Sequence, residues 1–123
     1  MHKVLMKSIP YLKIQSLLLR TDGQDVESQL AHAYQGLEFE STPADLIFIG
    51  RDQLLQTNTP WLNDHCHEDS MILLEGIHRT SKTSAMWQAL CQEAWVTVSI
   101  DFYFGGILFL RTKQVKQHFR IRI

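Results

Sequence analysis

The stretch 95–110 (WVTVSIDFYFGGILFL) constrains the fold more than any other part of the chain. Its first ten residues alternate between two faces, a period of two that is typical of a half-buried strand. The pair Gly105-Gly106 follows, and glycines tolerate the positive φ angles of a tight two-residue hairpin turn. We therefore expect a β-hairpin with Phe104 opposite Ile107, Phe102 opposite Phe109 and Ile100 opposite Arg111. The last pair would place Arg111 on the apolar face, which predicts a bulge or an open sheet edge at this point.

The remainder of the chain alternates between strand-like and helix-like segments. Apolar runs predict strands, and apolar residues spaced three and four apart predict helices. In order, the sequence predicts a strand over 11–20, a helix over 25–35, a strand over 44–50, a polar loop over 57–70, a strand over 71–78, a helix over 80–94, the hairpin and a final strand over 118–123. This order is β-α-β-loop-β-α-β-β-β. We expect a single α+β domain over 1–123, with a mixed or mainly antiparallel sheet of about five to six strands and two helices packed on one face.

The composition is that of an ordinary globular protein. Apolar residues make up 45% of the chain and charged residues 20%. No stretch approaches the roughly 18 apolar residues of a membrane span, so we expect no membrane partner. Lys13 and Gln15 interrupt the apolar run near the start, so we expect no signal peptide. The two cysteines, Cys66 and Cys91, cannot form a disulfide framework and suit the reducing cytoplasm, where we expect the protein to reside.

Charge is distributed in blocks along the chain. Residues 1–20 carry four basic and no acidic residues, 102–123 carry five basic and no acidic residues, and all thirteen acids lie between them. A surface of one sign steers charged partners. One alternative is therefore a nucleic-acid-binding protein that uses its basic C-terminal strand, through Arg111, Lys113, Arg120 and Arg122. The isoelectric point of about 6.6 argues against nucleic acid as a partner, and basic residues also protect an edge strand from unwanted pairing.

The segment 64–69 (DHCHED) concentrates residue types that bind metal ions. On an extended chain, His65 and His67 point to the same side and could share zinc or another divalent metal ion. Glu68 could be the third ligand, with Asp64 and His78 as the other candidates. Such a site would make the protein a metal-dependent enzyme. The spacing matches neither the HExxH motif nor paired CxxC motifs, and a solvated polar loop explains the segment more simply.

Aromatic residues around the hairpin and the second helix indicate a pocket or a contact surface. We predict that Trp61, Trp87 and Tyr103 bind a small apolar ligand, together with Glu75, an acidic residue in an otherwise apolar strand. Both faces of 107–110 are apolar, which predicts a homodimer in which a second copy covers one of them. The sequence thus favours a binding protein that acts through self-association and an aromatic-lined pocket over an enzyme, and we expect no cofactor.

Overall fold

The computed structural model describes residues 1–21, 25–111 and 115–121. Within these ranges the chain forms four α-helices, a short 3-10 helix and seven strands. The helices are α1 (His2–Tyr11), α2 (Asp25–Ala33), α3 (Thr59–Asp64) and α4 (Ser81–Gln92), and the 3-10 helix is Leu54–Gln56. The strands are β1 (Ser16–Arg20), β2 (Glu38–Phe39), β3 (Ala44–Ile49), β4 (Cys66–Glu75), β5 (Val98–Asp101), β6 (Gly105–Phe109) and β7 (Gln117–Arg120). None of the helices in these ranges is long and apolar enough to cross a membrane.

The seven strands form one mixed sheet in the order β2-β1-β3-β4-β6-β5-β7. The strands β2, β1, β3 and β4 run parallel to one another. Strand β6 is antiparallel to both of its neighbours, β4 and β5, and β7 pairs with β5 in parallel. The α+β class and the mixed sheet are therefore confirmed, whereas the sheet has seven strands and not the five to six expected.

Helices cover both faces of the sheet, so the chain has three layers. On one face, α1 and α2 bury residues such as Leu5 and Leu30 against the strands. On the other face, α3 and α4 bury Leu62 and Trp87. Strands β3 and β4 are apolar at consecutive positions, as is typical of strands buried on both faces. The prediction of two helices on one face is wrong, because the four helices are divided between the two faces.

Helix α1 occupies a region in which the sequence analysis found no element. Its buried residues Leu5 and Ile9 are four apart, which places them on one face of a helix against the sheet. Lys13, with φ of 55°, then turns the chain. Strand β1 begins only at Ser16, so the predicted strand over 11–20 is shorter than expected.

The segment 57–70, predicted as a polar loop, is mostly regular structure. Asn58 caps α3, where its side chain accepts a hydrogen bond from Trp61 N at 3.2 Å. Pro60 lies in the first turn of α3, where proline is favoured because its missing N–H is not needed. Strand β4 then begins at Cys66, earlier than predicted. The loop prediction is therefore wrong.

The hairpin is present, but its turn lies earlier in the chain than predicted. Strand β5 ends at Asp101 and β6 begins at Gly105, so the turn spans 102–104, where Tyr103 has a positive φ angle of 76°. Both glycines lie inside β6, where space rather than φ requires them. A Cβ atom at Gly106 would overlap the Trp87 ring, which packs on this strand.

The observed register also removes the expected mismatch of Arg111. Ile100 lies opposite Ile107 and not opposite Arg111. Arg111 follows the end of β6, and its guanidinium carbon lies 5.4 Å from the centroid of the Phe109 ring. The predicted bulge or open edge at this point therefore has no basis in the pairing.

Candidate functional site

The chain changes its direction of travel across the sheet between β1 and β3. From β1 it passes through α2 to the edge strand β2, and it returns to β3 on the opposite side of β1. Helix α2 packs on one face of the sheet, and α3, which follows β3, packs on the other. Such a switch point opens a crevice at the carboxyl ends of parallel strands, where open sheets of this kind bind ligands. The topology therefore places the candidate site at this edge.

Two adjoining cavities fill the crevice, with volumes of about 370 and 350 Å³. Met1, Arg51 and Glu75 line both of them. The first cavity is also lined by Gly76, His78, Arg79, Tyr103 and Phe104, and the second by Leu5, Thr21, Val26, Phe48 and Asp52. Each volume falls in the range of about 300–1,000 Å³ that is usual for pockets that bind small molecules.

The loops after β3 and β4 bring charged groups to the crevice. Arg51 N donates a hydrogen bond to Glu75 Oε1 at 3.1 Å, which ties the ends of the two strands together. Gly76 has a φ of 77° and lies against Arg51, so close that a Cβ added to Gly76 would be 2.8 Å from Arg51 Cβ. Arg79 and Asp52 form an exposed ion pair, with Nη1 3.3 Å from Oδ1. The crevice thus offers both carboxylate and guanidinium groups to a ligand.

The β5–β6 turn supplies an exposed aromatic wall. The Tyr103 side chain is 76% exposed and Phe104 is 43% exposed, although large aromatic groups usually gain stability from burial. Tyr103 also has a positive φ angle, a rare backbone conformation for a bulky residue. Strained residues of this kind cluster at binding sites, so Tyr103 is a candidate ligand contact.

Buried Asp101 positions this turn. Asp101 is 5% exposed, and its Oδ1 accepts a hydrogen bond from Tyr103 N at 2.8 Å. Its Oδ2 accepts a hydrogen bond from His78 Nε2 at 2.7 Å. The His78 ring in turn stacks on the Tyr103 ring, with centroids 5.6 Å apart. One carboxylate therefore fixes the positions of both rings at the crevice.

Both ring nitrogens of His78 are engaged, which limits its chemistry. Nε2 donates to Asp101, and Nδ1 lies 3.3 Å from Ser84 Oγ. The contacts link a serine to a histidine and the histidine to an aspartate, as in the catalytic triad of a hydrolase. However, Ser84 Oγ donates to Ile77 O at 3.2 Å, and Ser84 does not line either crevice cavity. His78 is therefore a positioning residue, and the geometry favours binding over nucleophilic catalysis.

Of the four residues predicted to contact a small ligand, Glu75 and Tyr103 line the same cavity. Trp61 lines a separate cavity of about 240 Å³, and its ring packs against the Arg20 guanidinium, 5.0 Å from the ring centroid. Trp87 is 3% exposed and belongs to the core beneath α4. The structure thus brings together two of the four predicted contacts.

The residues predicted as metal ligands make other contacts. His65 follows α3, where its Nδ1 donates to a main-chain carbonyl of that helix at 2.8 Å. His67 Nε2 donates to Asp45 Oδ1 at 2.7 Å, and Glu68 is exposed in β4. Nowhere in the described parts of the chain do three or more His, Cys, Asp or Glu side chains form a group that could hold a metal ion. The metal-dependent alternative stays a prediction that this geometry does not support.

The Asp45 carboxylate accepts hydrogen bonds from His67 and from two backbone N–H groups. Its Oδ2 accepts hydrogen bonds from Gln15 N at 2.8 Å and Ser16 N at 3.3 Å. Burial alone would raise the pKa of Asp45, but the hydrogen bonds from Gln15, His67 and Ser16 outweigh burial and hold its pKa below the ordinary value. The described geometry therefore gives His67 a structural role, in which it joins β4 to β3 and to the start of β1.

The basic residues predicted to contact nucleic acid lie on different faces where they are described. Arg111 lies over Phe109, which packs against the core beneath α1 and α2. Arg120 lines a groove beside α4, on the other face of the sheet. Lys113 and Arg122 lie outside the described residues. The nucleic-acid alternative therefore stays a prediction, and Arg111 and Arg120 do not form a common surface.

Sequence reasoning missed Arg51, Asp52 and Arg79 as site residues. A signal was present, because glycine and charged residues follow the apolar runs of β3 and β4 directly, as IGRD and EGIHR. This signal predicts a common site only when β3 and β4 are known to be parallel neighbours, because their carboxyl ends then lie at the same edge of the sheet.

Comparison with known proteins supplies no assignment. No protein-family model matches the chain, and no curated protein matches it. The argument for function therefore rests on the geometry of the crevice.

Proposed function

We propose that the protein binds a small molecule in the crevice at the carboxyl ends of β1, β3 and β4. The proposed ligand combines a planar aromatic ring with hydroxyl or amino groups. The observation that carries this proposal is that Glu75 and the exposed Tyr103 ring line one cavity, and that this cavity shares Met1, Arg51 and Glu75 with the cavity at the switch point of the sheet.

The side chains of the crevice complement such a ligand. The exposed rings of Tyr103 and Phe104 offer faces for stacking, and aromatic pairs gain about 0.5–1.5 kcal/mol beyond the burial of area. Glu75 is an acceptor when ionised, so it selects ligands that carry hydrogen-bond donors. Its Oε1 already accepts from Arg51 N, and a carboxylate retains further lone pairs for a ligand. This ligand is more polar than the apolar molecule that the aromatic residues alone predict.

Titration with adenosine and tyramine, followed by ligand-observed NMR, tests this proposal. Both probes combine an aromatic ring with hydroxyl or amino donors. We expect both to bind. Glu75→Gln should weaken binding about tenfold, since a hydrogen bond to a charged group contributes about 1.5–3 kcal/mol. Tyr103→Ala should weaken binding several-fold, since it removes a stacking contribution of about 0.5–1.5 kcal/mol. Benzoate, which lacks donor groups, is expected to bind less tightly than either probe.

Tyr11→Ala is the matched control, because Tyr11 is 86% exposed on α1 and lines neither crevice cavity. The control variant is expected to bind both probes as the unmodified protein does. Equal affinities of the Tyr11, Tyr103 and Glu75 variants would refute the site. Failure of both probes to bind the unmodified protein would refute the ligand class.

We also propose that the protein self-associates, because a separate observation favours it. Strand β7 lies at the edge of the sheet. The apolar residues Phe119, in this strand, and Ile121, directly after it, are 44% and 48% exposed. Gln117 N and Ile121 N donate toward β5, so the alternation of a parallel ladder directs the N–H groups of His118 and Arg120 outward. An edge of this kind can pair with the same edge of a second copy across a two-fold axis.

Sedimentation equilibrium tests self-association. We expect a mass near twice 14.3 kDa, and we expect added salt to strengthen the dimer because the basic side chains of the two β7 strands repel each other. Phe119→Lys should yield a monomer, whereas Val115→Lys, at an exposed position before β7, should not. A monomer at every protein and salt concentration would exclude this association.

A further inference from the structure

A groove lies between α4 and β7, and His78 is the one residue in its lining that also lines the crevice. Its volume is about 680 Å³, which exceeds that of either crevice cavity. It is lined at its base by Trp87 and Ser99, on the α4 side by Gln88 and Gln92, and on the β7 side by His118 and Arg120. Neither the crevice proposal nor the predicted metal site uses these residues.

His118 is held with one ring nitrogen free to meet a ligand. Its Nδ1 lies 2.5 Å from Ser99 Oγ, and Ser99 is buried. The His118 ring also contacts the Trp87 ring, with centroids 6.5 Å apart. When the Ser99 hydroxyl donates to Nδ1, the proton of neutral His118 is on Nε2, which becomes a hydrogen-bond donor. Among the described residues, Nε2 has no hydrogen-bond partner.

Arg120 contributes a positive charge to the β7 side of the groove. Asp101 lies opposite Arg120 in the β5–β7 pairing and also lines the groove, so one buried carboxylate offsets part of this charge. In the described part of the chain, Arg120 forms no salt bridge. Lys116 adds a second positive charge to the lining, and two main-chain carbonyls hold its Nζ at 2.8 and 2.9 Å. The lining thus sets two basic side chains, Arg120 and Lys116, against the single carboxylate of Asp101, and the β7 side favours an anion.

The α4 side supplies hydrogen-bond donors without negative charge. The helix Ser81–Gln92 contains no acidic residue, and the Gln88 and Gln92 amides line the groove. The accessible apolar lining comes from Ala89 and Cys91, and buried Trp87 and Val96 lie at the base of the groove. The groove thus combines an anion-binding side with an apolar base.

We propose that this groove binds a small phosphorylated molecule that has an apolar body. The phosphate lies against Arg120 and His118 Nε2, which share one side of β7 because their positions are two apart. The apolar body lies against Ala89 and Cys91, which line the groove and are not buried. A phosphate fits the groove better than a carboxylate, because its three oxygens can accept from Arg120, His118 and an α4 amide at once.

Isothermal titration of the full chain with phenyl phosphate tests this site. We expect one probe to bind per chain, with an affinity that falls as salt is added. Arg120→Gln should weaken binding at least about tenfold because it removes the positive charge, and His118→Phe should weaken it several-fold because it removes the Nε2 donor and keeps a ring. Inorganic phosphate and benzoate should both bind less tightly, since each retains only one part of the probe.

Arg111→Gln is the matched control, because it removes the same charge on the other face of the sheet. It should leave the affinity unchanged. Equal weakening by the Arg111 and Arg120 variants would overturn the proposal, since it would show a general effect of charge. Loss of binding in Tyr103→Ala but not in Arg120→Gln would place the probe in the crevice and would also overturn it. Absence of phenyl phosphate binding, with binding of an oligouridylate that depends on Arg120, would replace the proposal with one for nucleic acid.

Discussion

Replacing Gly106 with alanine tests how β6 packs against α4. Gly106 has no positive φ angle, and at such a position alanine usually stabilises a protein by about 0.4–1 kcal/mol through the unfolded state. Here the added Cβ would overlap the Trp87 ring. Trp87 is 3% exposed and packed in the core, so a movement of its ring disturbs the contacts that it makes there. Overpacking of this kind costs about 1–3 kcal/mol.

We expect Gly106→Ala to lower the free energy of unfolding by about 1–2 kcal/mol, the difference between these two effects. For a chain of 123 residues, the corresponding decrease in Tm is about 4–8 °C. Urea denaturation followed by circular dichroism measures the free energy, and a thermal scan measures the Tm.

A double-mutant cycle with Trp87→Leu identifies the cause. The smaller side chain removes the overlap, so in that background Gly106→Ala should be neutral or slightly stabilising. Gly36→Ala is the control, because Gly36 has φ of 83° and no atom within 4 Å of an added Cβ, so its cost comes from the backbone in both backgrounds. An equal cost of Gly106→Ala in both backgrounds would refute the packing argument.

Three other residues give direct tests of the remaining contacts. Asp101→Ala removes the hydrogen bonds to His78 and Tyr103 N, and we expect the free energy of unfolding to fall by about 2–3 kcal/mol; an unchanged urea midpoint would contradict this. Because the pKa of Asp45 is lowered in the folded state, its ionised form stabilises the fold above its ordinary pKa, and this contribution is lost as the pH falls through the lowered value. We expect Asp45→Asn to flatten the pH dependence of Tm below about pH 4, whereas Asp64→Asn, at an exposed position, should leave it unchanged. Burial raises the pKa of Cys66 to about 11, so iodoacetamide at pH 8 should alkylate it slowly until urea unfolds the chain; similar rates with and without urea would show that the thiol is accessible and reactive.

Local apolar spacing predicts several elements of this chain correctly. The helices α2 and α4 and the strand β3 lie close to their predicted positions, because their patterns are strong and continuous. Helix α1 escapes prediction, since it contains Pro10 near its end and gains stability by packing Leu5 and Ile9 on the sheet. Packing of this kind does not appear in a local pattern.

The turn and the crevice depend on contacts between distant parts of the chain. Gly105-Gly106 is a strong local signal for a turn, but Trp87 occupies the space above Gly106, and the turn forms at 102–104. The crevice likewise requires the strand order, because β1, β3 and β4 are separate in the sequence and become neighbours in the sheet. Neither the order nor the register follows from any single segment.

His78 lines both the crevice and the groove beside α4, so the two cavities share a wall. Asp101 ties that wall to the turn that carries Tyr103. If a ligand in one cavity moves the His78 ring, the surface that meets a ligand in the other cavity changes. The two affinities are then linked, and the factor by which the first ligand alters the affinity for the second equals the factor in the reverse direction. Under the two binding proposals, the His78 ring would be the side chain through which the sites are coupled.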